Sequence, residues 1–215
     1  MGYASKKIDK KYLEGRIESY EKRGVVNWRR AEVCARASLY LDREDKAKEY
    51  FEKASYMIDT LIDICKDDDA LYELSRAIHT KANFLRLAGE VEEAKAVYRE
   101  AKEMYEQLLE ENKYPYYRDV YMGRYLCTLF FLKEYEKCID LGKDKEEIYP
   151  VAFSRAILNN DKDAVGNLID RIKRHAKEAK VGPGEEDGTV IAIWDWYEIG
   201  MKLLGLPSRI DYIDW

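Results

Sequence analysis

Helix-breaking residues are scarce in this chain, and they separate long uninterrupted segments. Only 4 prolines and 12 glycines occur among its 215 residues. The segments between them are rich in Ala, Leu, Glu, Lys and Arg, which favour helix over strand. Their apolar residues return every three to five positions, as on one face of a helix, and no segment alternates strictly over the length of a strand. The sequence therefore predicts an all-α fold.

The breaks divide the chain into ten predicted helices, and the length suits a single domain with a real core. Most neighbouring helices are joined by turns of two to four residues, which predicts antiparallel helix pairs. The predicted helices span residues 5–23, 27–41, 44–66, 70–87, 90–111, 116–132, 134–141, 145–158, 162–180 and 189–204.

One segment carries a recognisable repeat motif. Residues 82–101 read ANFLRLAGEVEEAKAVYREA, in which Ala82 precedes a turn at Gly89, and Ala94, Tyr98 and Ala101 follow it. Small residues let two helices approach closely, and the aromatic ring fills the space beside them. This pattern resembles a tetratricopeptide repeat over roughly 34 residues, the length of that family's repeat.

Three further segments repeat the pattern with decreasing fidelity. The first has Ala35, a turn at Asp42, and then Ala47, Phe51 and Ala54; the second has Leu126, a turn at 133–135 and Cys138; the third has Ala152, a turn at 159–161, Ala164 and Leu168. With Ala47, Ala94, Cys138 and Ala164 taken as equivalent, the spacings are 47, 44 and 26 residues. The resemblance covers about residues 27–180 and is specific in its first two units.

The resemblance implies a fold and a layout for the whole chain. We expect antiparallel helix pairs stacked as a short, irregular right-handed α-α superhelix in one domain, 1–215. Within it, 1–26 is an N-terminal helix, 27–112 holds the two best repeats, 113–180 the degenerate repeats, and 187–215 a C-terminal capping helix and tail.

Proteins of this family bind peptides along the concave surface formed by the first helix of each pair. Carried over to this sequence, that surface is an exposed strip of cationic and hydrogen-bonding side chains. An acidic peptide or protein segment would suit it, because arginine forks bind carboxylates in a bidentate way. The alternative is that these are ordinary solvated side chains. The predicted partner-binding residues are Arg29, Arg36, Tyr40, Arg76, His79, Asn83, Arg86 and Arg124.

The last helix and the tail offer further contacts. Helix 189–204 is apolar on a wide face and leaves Asp195, Glu198 and Lys202 as a charged stripe. We expect this helix to bury its apolar face against the preceding pair, or else to form a homodimer. The tail 205–215 contains Asp211, Asp214 and aromatic residues, and it would suit the arginine strip of the same or a neighbouring molecule.

Charge and composition disfavour other partners. A net charge of -5 and a pI near 5.4 argue against nucleic acid, and helix 189–204 is too short and too charged to span a membrane. The N-terminus lacks the apolar core of a signal peptide, and the four cysteines lie within helical patterns without a C-x-x-C pair. Buried reduced thiols in a cytoplasmic protein are therefore expected. Abundant Glu and Lys with a single glutamine are typical of thermophilic proteins.

Catalytic motifs are not found in the sequence. The two histidines, His79 and His175, belong to no zinc-binding motif, and neither a Walker A, a G-x-S-x-G nor a G-x-G-x-x-G string occurs. We therefore expect a non-catalytic binding protein without catalytic residues, cofactor or metal. Two alternatives stay open: an immunity or inhibitor protein that acts through an acidic surface, and an enzyme with an unrecognised carboxylate site.

Overall fold

The computed structural model describes residues 10–67, 70–112, 114–179 and 193–207. These residues form ten α-helices and one short 3-10 helix, and no strand occurs among them, so the all-α prediction is confirmed for this part of the chain. The helices are α1 (Lys10–Arg23), α2 (Trp28–Tyr40), α3 (Glu44–Asp67), α4 (Leu71–Leu87), α5 (Val91–Glu111), α6 (Arg118–Phe131), α7 (Tyr135–Leu141), α8 (Tyr149–Leu158), α9 (Lys162–Ala179) and α10 (Ile193–Leu203), and the 3-10 helix is Pro115–Tyr117.

Most helix boundaries lie within a few residues of the predicted ones, but α8 is an exception. The sequence pattern predicts a start at residue 145, whereas the helix begins at Tyr149 and residues 142–147 form turns. Pro150 occupies the first turn of α8, the one place where a helix tolerates a residue without an N–H. An earlier start would have put this proline in the helix interior.

The four turns that join α2–α3, α4–α5, α6–α7 and α8–α9 have the same backbone geometry. Each turn contains one residue with positive φ, and the N–H of the next residue donates to a carbonyl five residues back, as in a Schellman motif. The positive-φ residues are Asp42, Gly89, Lys133 and Asn160, and the bonds run from Arg43 to Ser38, Glu90 to Leu85, Glu134 to Leu129 and Asp161 to Ala156, each at 2.9 Å.

These turns correct the alignment of the fourth unit. Ala47, Ala94 and Cys138 each follow the positive-φ residue by five positions, and all three are buried. The corresponding residue of the fourth unit is Val165, which is also buried, and not Ala164, which is only partly buried. The units are therefore 47, 44 and 27 residues apart.

The packing of the pairs follows the order of the chain. Helices α2 to α6 enclose one large core, in which Phe51, Phe84 and Tyr105 are fully buried. A second core forms where α10 packs against α6, α8 and α9, and it contains Trp194, Trp196 and Phe153. Because α10 closes the array at this end, its position decides how much of α2, α4 and α6 remains open.

Candidate functional site

The predicted strip divides into open and buried residues. Arg29 is exposed and its guanidinium lies 5.2 Å from the centre of the Trp28 ring. Tyr40, Arg76 and Arg86 are partly buried, and Arg76 pairs with Glu73 at 2.7 Å. These four side chains retain some access to solvent.

The other four members of the strip, Arg36, His79, Asn83 and Arg124, are at most 5% exposed. The prediction that they lie on an exposed surface is therefore wrong. The physical reason is that other helices cover the first helix of each pair: α10 covers Arg36, while α5 and α6 contact His79. The residues that were assigned to a partner are instead bound by the chain itself.

Arg36 lies at the centre of a buried charge network, which consists of Glu32, Arg36, Arg86 and Asp195. Its Nε donates to Glu32 one turn earlier at 2.9 Å, and its Nη1 and Nη2 donate to both carboxylate oxygens of Asp195 at 2.5 and 3.3 Å. Arg86 donates to the same Asp195 carboxylate at 3.3 Å. Two guanidiniums and two carboxylates thus form a balanced cluster that joins α2 and α4 to α10.

The electrostatics of Asp195 depend on these two arginines. Burial by itself raises the pKa of a carboxyl group, but the charges and hydrogen bonds of Arg36 and Arg86 outweigh it and lower the pKa of Asp195 below its ordinary value. Arg86 also stacks on Phe131, with its guanidinium 4.4 Å from the ring centre. The ionised carboxylate of α10 is therefore a fixed part of this site.

Aromatic side chains hold α10 in this position. Trp196 stacks on Phe153 at 5.6 Å and on Phe131 at 6.0 Å between ring centres. Gly200 permits the close approach to α9, since a Cβ at this position would lie 2.8 Å from the Cγ1 of Ile169. The apolar face of α10 is thus buried within its own chain, as the first of the two sequence-based alternatives expects.

His79 belongs to a second polar cluster, between α4, α5 and α6. Its Nδ1 lies 3.0 Å from the hydroxyl of Thr128, and its Nε2 has no hydrogen-bond partner among the described residues. Burial, together with the charges of Arg124 and Arg86, holds the pKa of His79 well below its ordinary value. His79 is therefore a neutral core residue at physiological pH.

Asn83 and the cysteines are also parts of the core. The hydroxyl of Tyr98 donates to Asn83 at 2.6 Å, which fixes α5 against α4. The four cysteines are buried, as predicted, and burial raises the pKa of Cys127 to about 12. A thiol with so high a pKa is a poor nucleophile at neutral pH.

A pocket of about 700 Å³ opens beside the charge network. It lies between the α2–α3 turn, the α4–α5 turn and the face of α10 that carries the charged stripe. Its apolar rim includes Leu39, Val91 and Leu206, which are 36%, 51% and 49% exposed. Four cations and four anions also line it: Lys10, Arg36, Arg86, Lys202, Asp42, Glu44, Asp195 and Glu198.

Among the pocket's cations, only two lysines are both exposed and without an ion pair to the described residues. These are Lys10, at the start of α1, and Lys202, near the end of α10. The sequence-based prediction of partner-binding residues does not include Lys10. It assigns Lys202 to the charged stripe of α10 but gives it no part in binding. The acidic tail residues Asp211 and Asp214, which were predicted to suit the arginine strip, lie outside the described residues. Within the described residues, Asp195 is the carboxylate that binds Arg36 and Arg86.

The described residues contain neither a metal-binding cluster nor a membrane-spanning helix. No group of three or more His, Cys, Asp or Glu side chains could hold a metal ion. No described helix is long and apolar enough to cross a membrane. Comparison of the chain with protein-family models, curated proteins and solved structures gives no significant match.

Proposed function

We propose that this chain is a tetratricopeptide-like interaction module that binds a peptide segment of a partner protein in the pocket between α2, α4 and α10. The observation that carries the proposal is the pocket itself, which combines an exposed apolar rim with Lys10 and Lys202. Its volume of about 700 Å³ lies in the range of specific binding sites.

The four equivalent turns support the repeat part of this proposal. Repeat families keep a supersecondary unit while the residues diverge, and here the same positive-φ turn recurs before α3, α5, α7 and α9. A right-handed superhelix would place the second half of α2 and of α4 on one inner surface. Asp195 of α10 would then fill the deep part of that surface, and the pocket would be its open part.

The chemistry of the lining supports a segment with an acidic side chain beside an apolar one. Arg36 and Arg86 are already neutralised by Asp195, so the carboxylate of a partner would bind Lys10 and Lys202. The apolar side chain would pack against Leu39 and Val91. This arrangement moves the predicted acidic-partner site from the buried arginines to the lysines at the pocket mouth.

A display experiment tests the proposal. Random peptides displayed on phage are selected on the immobilised chain, and the affinity of the enriched peptides is then measured by fluorescence anisotropy. We expect enrichment of acidic residues next to apolar ones, and an affinity that falls as salt screens the lysines. The variant Lys10→Glu/Lys202→Glu should weaken binding about tenfold or more, which corresponds to about 1.4 kcal/mol.

Matched variants separate the pocket from a general charge effect. Lys177→Glu changes an exposed lysine on α9 outside the pocket lining, and Val26→Asp changes an exposed valine between α1 and α2. Both should leave the affinity unchanged, whereas Val91→Asp should reduce it. Selection of no peptide, or equal affinity for Lys10→Glu/Lys202→Glu and the unaltered chain, would refute the proposal.

A further inference from the structure

A cluster of four tyrosines lies at the junction of α4 and the 3-10 helix, and the pocket does not include it. The rings of Tyr72 and Tyr117 stack with their centres 5.0 Å apart and their planes 18° apart, and Tyr114 contacts Tyr72 at 6.1 Å. Tyr116 stands nearly perpendicular to Tyr117, at 5.2 Å and 86°. The four rings, with Tyr72 and Tyr117 nearly parallel and Tyr116 upright, thus form a stepped aromatic surface, here called the tyrosine cluster.

Two rings of this surface, Tyr116 and Tyr117, are exposed, while Tyr72 and Tyr114 are partly buried against the core. Tyr116 is 89% exposed and Tyr117 is 43% exposed, and neither hydroxyl is hydrogen-bonded to a described residue. Pro115 begins the 3-10 helix that sets the direction of both rings. Tyrosines held in this way offer a large contact area at a low entropic cost, and their free hydroxyls can donate to a ligand.

Arg118 places a positive charge beside the cluster. It is exposed, donates to the Asn112 side chain at 3.2 Å, and forms no ion pair with a described residue. Arg76 lies with its guanidinium 5.7 Å from the Tyr72 ring, but Glu73 already pairs with it. A ligand for this surface would therefore carry an apolar, ring-stacking part with an acidic group next to it.

We propose that the tyrosine cluster is a second interaction surface, which binds a proline-rich segment with a flanking acidic residue. Pyrrolidine rings of a polyproline II helix pack into aromatic steps, and the carbonyls of that helix are unpaired acceptors for tyrosine hydroxyls. Single-stranded nucleic acid also stacks on aromatic rings. It suits this site less, because the successive phosphates of a nucleic acid need several unpaired cations, whereas Glu73 already pairs with Arg76 and the chain has a net charge of -5.

Binding of a polyproline probe tests the proposal with the full chain. The probe is a short, fluorescein-labelled polyproline peptide with a glutamate at each end, and its anisotropy is measured as the protein is added. Saturable binding is expected, with a loss of about tenfold or more in Tyr116→Ala, whose ring contributes little to the fold because it is 89% exposed. Arg118→Glu should weaken the same complex.

The controls decide between the outcomes. Tyr56→Ala removes a tyrosine of α3 that is 76% exposed, and it should bind the probe like the unaltered chain. A glycine–serine peptide of the same length and charge should not bind. The proposal is overturned if the polyproline probe does not bind, if Tyr116→Ala and Tyr56→Ala behave alike, or if oligo-dT displaces the probe at equal or lower concentration.

Discussion

Asp195 connects the last helix to the first two helix pairs, and its charge can be removed with almost no change of shape. In Asp195→Asn, the guanidiniums of Arg36 and Arg86 lose the carboxylate that lies 2.5 and 3.3 Å away. Asp195 is 6% exposed and Arg36 is 3% exposed. Removal of one partner from a buried ion pair costs about 3–5 kcal/mol, because the remaining charge stays buried.

Since Asn keeps one acceptor oxygen and Glu32 still pairs with Arg36 at 2.9 Å, we expect a loss near the lower limit, about 3 kcal/mol in the free energy of unfolding. For a domain of this size, that corresponds to a fall in Tm of about 6–12 °C. Urea unfolding followed by far-UV circular dichroism measures the change at a fixed pH near 7. Tryptophan fluorescence reports on α10 in the same titration, because Trp194 and Trp196 flank Asp195.

Two comparisons make the result interpretable. Asp170→Asn on α9 removes an exposed aspartate that lies 3.8 Å from Lys173, and it should change stability by less than about 0.5 kcal/mol. In the background Arg86→Met, the cost of Asp195→Asn should fall, because one of the two guanidiniums that contact Asp195 is already absent. A loss below about 1 kcal/mol in Asp195→Asn, or an equal loss in both backgrounds, would refute the account of this network.

Three further predictions concern the core. The folded-state pKa of His79 is lowered, so the unfolded chain binds a proton that the folded chain does not. The resulting stabilisation is complete above about pH 6.5 and falls by up to about 1.4 kcal/mol per pH unit below it. Urea titrations at several pH values should show a weaker pH dependence in His79→Gln. Gly200→Ala should destabilise the fold by about 1 kcal/mol, because crowding against Ile169 exceeds the gain in helix propensity. Gly166→Ala is the control, since a Cβ at residue 166 would have no atom within 4 Å, and it should not lower the temperature of thermal unfolding. The four buried thiols should react with Ellman's reagent only after denaturation. A thiol that reacts quickly in the native protein would contradict the burial of these cysteines.

Much of the fold follows from local signals. Gly24, Gly89 and the turn at Asn160 interrupt apolar patterns of period 3.6, so the helices are predictable wherever a break coincides with such a residue. The start of α8 shows the limit of that reasoning. Residues 145–147, Lys-Glu-Glu, have a high helix propensity, but the position of Pro150 decides where the helix begins.

The candidate site was less predictable, because burial depends on partners far away in the sequence. Arg36 and Asp195 are 159 residues apart, and nothing local distinguishes Arg36 from the exposed Arg29 two turns earlier on the same face of α2. A usable signal did exist in α10, where Asp195 lies between two tryptophans. A carboxylate in so apolar a helix requires a cationic partner, and the arginines of α2 and α4 were the candidates nearest to the predicted groove.

The geometry of the four turns recurs more strictly than the residues that form them. The left-handed position of the four turns is occupied by Asp42, Gly89, Lys133 and Asn160, although only glycine adopts that conformation without cost, and a lysine there loses roughly 1–2 kcal/mol. A buried residue, from Ala47 to Val165, lies five positions after each left-handed residue, and its packing offsets this cost. Equivalent positions are therefore defined by the turns, and on that alignment Arg36 corresponds to Asn83. Both are buried by contacts within the chain, so the proposed partner would bind at the pocket mouth, where Lys10 and Lys202 are exposed.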